Sequence, residues 1–255
     1  MAKDKTSLRL QQILDLVSHK HEVSVAQLTA RFKVTAATIR RDLDALEQQC
    51  KITRTHGGAM LSAPSVVAFS FQDRRQTQMQ QKQAIARAAV TQLKPGMTVI
   101  LDTGTTTLEV AKALVEISNL KVLTTSLAIT SALFAHENLE LMLLGGIVHR
   151  DSPDLFGSLT QDNLAAFRAD IAFIGADAID KDGLYTNNQS IAGVSKAMIK
   201  SAKKIVVVAD SSKFDQRAFS QFTTWAKVDV LVVDRGLNPA QRKWVKKSTP
   251  QVIFA

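Results

Sequence analysis

Two rhythms of apolar residues divide the chain. Over the first 60 residues they recur at helical spacing. Leu8, Ile13, Leu14, Leu16 and Val17 form one stripe, Val25, Leu28 and Phe32 a second, and Ile39, Leu43 and Leu46 a third. Further on, the pattern changes to short, β-branched, nearly continuous apolar runs at 98–101, 121–124, 140–144, 171–174, 205–209, 228–233 and 252–254. Helical stretches at 80–93, 108–117, 128–135, 159–167, 194–202 and 239–246 stand between most of them. Strands without polar alternation, separated by helices, predict a mainly parallel α/β sheet covered on both faces.

The expected organisation is a small, mainly helical domain over residues 1–62, a linker over 63–75 and a larger α/β domain over 76–255. The boundary follows "LSAPSVVAFS", a small-residue stretch with one proline. Within the front domain, Ser24 or Val25 starts a short helix that Lys33-Val34-Thr35 breaks. Thr35 is placed to cap a third helix through its hydroxyl. That helix buries Ile39, Leu43 and Leu46 and leaves Ala37, Arg40, Arg41 and Asp44 facing outward. Residues 50–54 suggest a strand, and Gly57-Gly58 a tight turn where positive φ is cheap.

Charge sharpens this picture. The net charge of +9 and pI near 9.7 favour an anionic partner. Residues 1–62 carry ten Lys and Arg against six Asp and Glu, so basicity is denser at the front, where His19, His21 and His56 also lie. No apolar run approaches the roughly 20 residues that span a bilayer, and the start has no apolar h-region. A single cysteine, Cys50, allows no internal disulfide. A cytoplasmic protein without a cofactor is expected.

Two helices joined by a tight turn, the second bearing arginines, fit a helix-turn-helix. Thr35, Ala36, Ala37 and Thr38 are small or hydroxylic and permit close approach to base edges. Arg40 and Arg41 could reach guanine or phosphate, with Lys51, Arg54 and His56 on a following wing. Alternatively, the two arginines pair with Asp44 or Glu47 on a solvated face, each pair worth about a few tenths of a kcal/mol. The stretch "VSVAQLTARFKVTAATIRRDLDALEQQCKITRTHGGA" resembles the DNA-binding head of DeoR-type bacterial transcription regulators, with its T-[IV]-R-R-D-L-x-x-L-E run and R-x-H-G-G ending. The resemblance implies a winged helix-turn-helix bound to double-stranded operator DNA, with Thr35, Thr38, Arg40, Arg41, Arg54 and His56 at the matching positions.

In the back domain, "VILDTGTTTLEVAKAL" reads as a strand, a threonine-rich loop and a helix. Free backbone N–H groups at a helix start favour an anion, and the hydroxyls add donors. Plain threonine capping of the turn is the bland alternative. The loop lacks the G-x-x-x-x-G-K-[ST] spacing of nucleoside triphosphate sites. Other predicted strands also end in polar residues: Thr124-Thr125-Ser126, Gly145-Gly146, Gly175-Ala176-Asp177 and Asp210-Ser211-Ser212-Lys213. Ligands of open α/β sheets bind outside such carboxyl ends. The candidate crevice therefore combines Asp102, Gly104, Thr105, Thr106 and Thr107 with those residues. Lys213 would face a phosphate, and Asp102, Asp177 and Asp210 would hold sugar hydroxyls; Asp210 as a helix cap and Lys213 as a solvated side chain stay open.

These segments, in order, resemble the effector domain of the same family, which is similar in fold to ribose phosphate isomerases and glucosamine phosphate deaminases. The resemblance implies a phosphorylated sugar effector and control of sugar catabolism genes, with repression expected. Two positions depart from the family pattern: Thr125 stands where asparagine is frequent, and "NQSIAGV" (188–194) lacks a glutamate.

Three further readings bound the function. A sugar phosphate isomerase needs a carboxylate base, and the related isomerases carry glutamate after G-A-D where this chain has Ala178; Asp177 remains a possible base. A back domain that only assembles copies and senses nothing is a third possibility. A metal site has no framework, since His136 and His149 stand thirteen apart without partner cysteines. Trp225 and Trp244 read as core or interface residues, and the "RKWVKK" cluster at 242–247 as a solvated helix face. Because paired half-sites need paired heads, a homodimer or homotetramer is expected.

Overall fold

The computed structural model of the 255-residue chain describes residues 2–20, 22–48, 51–61, 71, 74–149 and 152–255. The side chains of Leu8 and His19 lie outside the described residues, as do His21, Cys50 and most of the expected 63–75 linker. Two compact units emerge. The front one takes in the described residues before position 74 and Ser152, and the back one is formed by Arg74–His149 and Pro153–Ala255.

The front unit runs α1 (Ala2–Lys20), β1 (Glu22–Ser24), α2 (Val25–Phe32), α3 (Ala36–Gln48), β2 (Ile52–Thr55) and β3 (Gly58–Leu61). Ser24 opens α2 with a reciprocal cap: its hydroxyl accepts the Gln27 amide at 3.2 Å, and the Gln27 side chain accepts the Ser24 amide at 2.9 Å. The helix stops at Lys33, whose φ is +52°. Thr35 Oγ1 then accepts the Thr38 amide at 3.2 Å, the cap that its position predicts. Ile39, Leu43 and Leu46 of α3 are buried with Ile13, Leu14, Val17, Leu28 and Ile52. Each such side chain contributes about 1.5–3 kcal/mol, far more than a surface ion pair, so the apolar stripe orients α3.

The strands pair antiparallel in the order β1-β3-β2. The hairpin departs from the expected Gly57-Gly58 turn. The turn residues are His56 and Gly57, while Gly58 already belongs to β3, and neither glycine has positive φ. Gly58 is needed for closeness instead: a Cβ there would stand 2.0 Å from the Val23 carbonyl oxygen. β1 itself was not expected, because three residues carry no periodicity of their own.

The back unit is built on a seven-stranded sheet in the order β15-β14-β12-β9-β4-β5-β6, parallel throughout. In chain order the elements are α4 (Met79–Ala89), β4 (Thr98–Leu101), α5 (Thr105–Ala113), β5 (Leu120–Thr124), α6 (Leu127–Leu133), β6 (Leu139–Leu143), β7 (Ile147–Val148), β8 (Leu155–Phe156), α7 (Ser158–Ala165) and β9 (Ala169–Ile174). There follow β10 (Ala178–Ile179), β11 (Leu184–Thr186), α8 (Gln189–Lys200), β12 (Ala202–Val208), β13 (Ser220–Thr223), β14 (Val230–Val233), α9 (Pro239–Ser248) and β15 (Gln251–Phe254). Ile100, Ala172, Ile174, Val207 and Leu231 pack with Leu164, Met198 and Val245 on one face. The alternate residues Leu101, Phe173, Val206 and Val232 are buried too, so both faces are covered. All seven runs of the sequence reading are present, with ends shifted by up to three residues.

The helices α5 and α8 begin earlier than their apolar stripes, because their first turns are polar. Two small elements were invisible in the sequence. These are the antiparallel ribbon β7–β8 and the antiparallel sheet β10-β11-β13, whose strands are too short to show a pattern. Strand order reverses between β4 and β9: from β4 the chain adds β5 and β6 on one side, then returns to place β9, β12, β14 and β15 on the other. At such a switch point the connections diverge and leave a crevice beyond the strand ends.

Candidate DNA-reading face and ligand crevice

On α3, Ala37, Arg40 and Arg41 are exposed, Thr35 is exposed just before it, and Thr38 is half-buried. Asp42 turns inward from the same run and takes two hydrogen bonds from Arg9 of α1, 2.6 Å from Nε and 3.0 Å from Nη2. The hydrogen bond to Asp42 raises the Arg9 pKa further. The acids that might have neutralised Arg40 and Arg41 are engaged elsewhere. Asp44 pairs with the Arg54 guanidinium, and Glu47 accepts the Arg54 amide at 2.9 Å. Among the described residues no ion pair involves Arg40 or Arg41. The half-buried Arg54 thus fastens the wing to α3, whereas Lys51 and His56 of the wing are exposed. The geometry brings these eight candidates onto α3 and its wing, with Arg54 turned toward Asp44.

In the back unit, Asp102 stands at the end of β4 and reaches across the switch point. Its Oδ2 accepts the Gly175 amide beyond β9 at 3.1 Å, and its Oδ1 accepts the Thr103 amide at 2.8 Å. Asp102 is 4% exposed. Burial pushes its carboxyl up to about 7 against the opposing pull of those two amides, and nearby Asp154 and Asp177 add to the rise.

Beside it, Gly104 precedes α5 with φ +126°, a conformation that an L side chain rarely adopts. No side chain caps this helix, and Leu108 N–H is bonded to Gly104 O at 3.0 Å. The amides of Thr105, Thr106 and Thr107 precede that bond and stay available to an anion. Thr107 Oγ1 donates to Gly104 O at 3.0 Å and holds the turn.

The Thr124-Thr125-Ser126 loop divides its labour. Thr124 Oγ1 donates to Leu101 O and accepts the Ser126 amide, while Ser126 Oγ caps α6. Thr125 is 0% exposed, and its hydroxyl has no hydrogen-bond partner among the described residues. Asp177 Oδ2 accepts from the Thr186 hydroxyl and the Asn187 amide, at 3.0 and 2.9 Å. Asp210 does cap a helical turn, over Ser211–Lys213, through the Ser212 amide, and Lys213 is half-buried at the end of that turn. Gly145 and Gly146 sit in a packed corner, where Thr160 Oγ1 donates to Gly145 O at 2.9 Å and a Cβ on Gly146 would meet that same Oγ1.

The ribbon β7–β8 supplies residues that the sequence reading missed. Leu155 N–H bonds Thr125 O, and Ser126 bridges to Asp154, which brings the buried Asp154 near Asp102. His149 Nε2 pairs at 2.8 Å with Asn188 Nδ2, and Asn188 caps α8, in the stretch that lacks a glutamate. Lys82 of α4 was missed as well. It occupies an apolar position of the helical stripe, three residues before Ile85, and that misplaced charge was the available signal. Among the described residues no group of His, Cys, Asp and Glu is placed to hold a metal ion, and no helix is long and apolar enough to cross a membrane.

A winged helix with two exposed arginines and, as a separate unit, a parallel α/β sheet with polar strand ends at its switch point fit the class of DNA-binding regulators that hold a reading head and a sensor in one chain. Comparison with known proteins makes this specific. Residues 9–64 match the DeoR-like helix-turn-helix domain and residues 77–235 the DeoR C-terminal sensor domain. The chain belongs to the DeoR family of transcriptional regulators.

It is 34% identical over 231 residues to the glycerol-3-phosphate regulon repressor of Escherichia coli K12, covering 90% of this chain and 91% of that protein. It is 33% identical over 232 residues to the transcriptional repressor GlcR of Bacillus subtilis, with 91% and 90% covered. These relatives are named as repressors, and this chain is likewise a regulator rather than an enzyme. Among solved structures, ribose 5-phosphate isomerase A of Methanocaldococcus jannaschii aligns over 54% of this chain and 55% of its own, with 23% identity and a TM-score of 0.41.

Proposed function

We propose that the chain represses sugar catabolism genes from the cytoplasm, and that a phosphorylated sugar or sugar-derived metabolite bound in the crevice changes its affinity for operator DNA. The observation that carries the ligand class is the start of α5. Three available amides, with threonine hydroxyls among them, adjoin a strand-end carboxyl group at the switch point. The amides suit a phosphate, and Asp102, Asp177 and Asp210 suit sugar hydroxyls. The relative named for glycerol-3-phosphate supports a small phosphate ester without fixing which one.

Operator binding is assigned to Thr35, Ala37, Thr38, Arg40 and Arg41 of the α3 face, backed by Lys51, Arg54 and His56. A homodimer or homotetramer fits the need for paired heads. Exposed Met142, Leu143, Ile147 and Val148, on the edge strand β6 and the adjoining ribbon, favour self-association.

Fluorescence anisotropy on DNA from the promoter nearest its own gene, with scrambled DNA as control and a panel of sugar phosphates, tests the whole reading. A dimer contacting about six to eight phosphates gives a log–log salt slope of roughly −5 to −7. Specific binding released by one phosphosugar is the expected result. Specific binding indifferent to every ligand would overturn the sensor half, and turnover of a sugar phosphate would overturn the regulator reading of the crevice.

A further inference from the structure

Lys82 is 4% exposed, on the same buried face of α4 as Ile85, Ala86 and Ala89. A buried ammonium group must find acceptors. Two carbonyl oxygens provide them: those of Arg74 and of Thr77, the latter at 2.7 Å. Both belong to the first residues of the back unit, where the chain arrives from the DNA-binding unit. Gln78 joins this segment to α4 with φ +55°, a left-handed conformation rare for a residue with a side chain. The segment is therefore shaped around one charge.

That charge also lies in the field of charged residues at the strand ends. Burial lowers the Lys82 pKa, while Asp210 and Glu109 favour its charged form and Lys213 and Arg74 oppose it. Asp210 and Lys213 follow β12 at its carboxyl end, and α4 packs along α5, whose first turn is the candidate anion site. An ammonium group has three N–H donors, and the two carbonyls occupy two. A phosphate at the start of α5 brings negative charge into the field of this group and competes with the carbonyls for it.

We propose that Lys82 is the positioning residue that couples the crevice to the DNA-binding unit: its ammonium group is shared between a phosphate in the crevice and the carbonyls that seat Arg74–Thr77. Ligand binding draws the charge toward the phosphate and loosens the segment through which the two units are joined. The inference rests on the phosphate-ligand reading above and adds the route by which occupancy is transmitted.

The experiment uses the full chain as wild type, Lys82→Arg and Lys82→Met. Inorganic phosphate, ribose 5-phosphate, glucose 6-phosphate and glycerol 3-phosphate serve as probes. Calorimetry measures binding of each probe, anisotropy measures DNA affinity at saturating probe, and hydrogen exchange follows the peptide spanning residues 74–80. In the wild type the binding probe should speed exchange at 74–80 and release DNA. Lys82→Met, lacking the charge that seats Arg74–Thr77, should bind DNA about as weakly as the ligand-loaded wild type and lose most of the further release even at saturation, cutting the coupling about tenfold, with Lys82→Arg recovering part of it. A lysine that merely stabilises the fold would lower the melting temperature without touching the ratio of DNA affinities.

Full release by saturated Lys82→Met would overturn the coupling while leaving the sensor reading intact, as would exchange at 74–80 that ignores a bound probe. If Lys82→Met fails to fold, the wild-type exchange and Lys82→Arg decide. Absence of binding by every probe would overturn the phosphate-ligand reading and this inference with it.

Discussion

Arg9 and Asp42, 33 residues apart, are joined by two hydrogen bonds that clamp α1 to α3. The run Arg40-Arg41-Asp42 therefore splits its tasks at a single peptide bond. Two exposed cations stand beside one buried anion, because a 100° step per residue carries Asp42 to the α1 side of the helix. Asp42→Ala should cost about 1.5–3 kcal/mol of front-unit stability, the range for a hydrogen-bonded charge, whereas Arg41→Ala should stay within about 0.5 kcal/mol. Urea denaturation of both variants decides; equal effects would remove the division of labour.

For DNA the order reverses. Arg41→Ala is expected to weaken specific operator binding by about 1–3 kcal/mol if it meets a guanine edge, and Lys51→Ala to weaken specific and scrambled DNA alike. Anisotropy on both DNAs separates the cases. An unchanged dissociation constant for Arg41→Ala would sink its assignment as a base reader.

Asp102 gives the back unit a dependence on pH whose sign is fixed. Its folded pKa, about 7, lies well above the usual carboxylate range. The neutral form is thus the one that folding favours, and the stability it lends is complete below about pH 4 and lost as pH rises through 7. Measured against Asp102→Asn, the wild type should lose on the order of 4 kcal/mol across that window, at 1.36 kcal/mol per pKa unit. Asn carries its own constant cost, since it cannot accept both amides, so the slope of the difference is the readout. A flat difference between pH 4 and 8 would refute a carboxyl group titrating near neutrality.

Lys213→Ala and Asp102→Ala should leave operator affinity within about twofold and abolish the response to phosphosugar, since ligand and DNA meet different units. Gly104→Ala should fail in the same assay for another reason: φ +126° is strained for alanine, and the three amides of α5 would lose their aim. A full ligand response in either crevice variant would mean that the site lies elsewhere.

Much of this was legible in the sequence. The seven parallel strands announced themselves because burial on both faces leaves no polar alternation to confuse. Thr35 could be placed as a cap because a hydroxyl before an apolar helical stripe has few other uses. Asp154 and Asn188 were not legible, since each gains its meaning from a ribbon of two-residue strands; Lys82 left only a charge at an apolar helical position, because the Arg74 and Thr77 carbonyls that hold it follow no periodic pattern. The pairing of Arg54 with Asp44 was likewise hidden: a basic wing and an acidic helix face look independent until β2 returns along α3. Gly58 reads as a turn residue in the sequence and stands instead in a strand pressed against Val23, because a neighbouring strand 35 residues earlier is invisible to local turn chemistry.

The bond from Asp102 to Gly175 spans 73 residues, and β9 in turn needs β12 beside it. On the ribosome, the helices and strands of the front unit are complete in sequence by Leu61, and domains generally fold as units in the order they emerge. The sheet that completes the crevice must wait for chain beyond residue 208, and the C-terminal edge strand for residue 254. At roughly 5–20 residues per second the remaining 194 residues take about 10–40 s. A nascent copy thus completes its helix-turn-helix head well before its sensor sheet, and premature termination anywhere between leaves the head without that sheet.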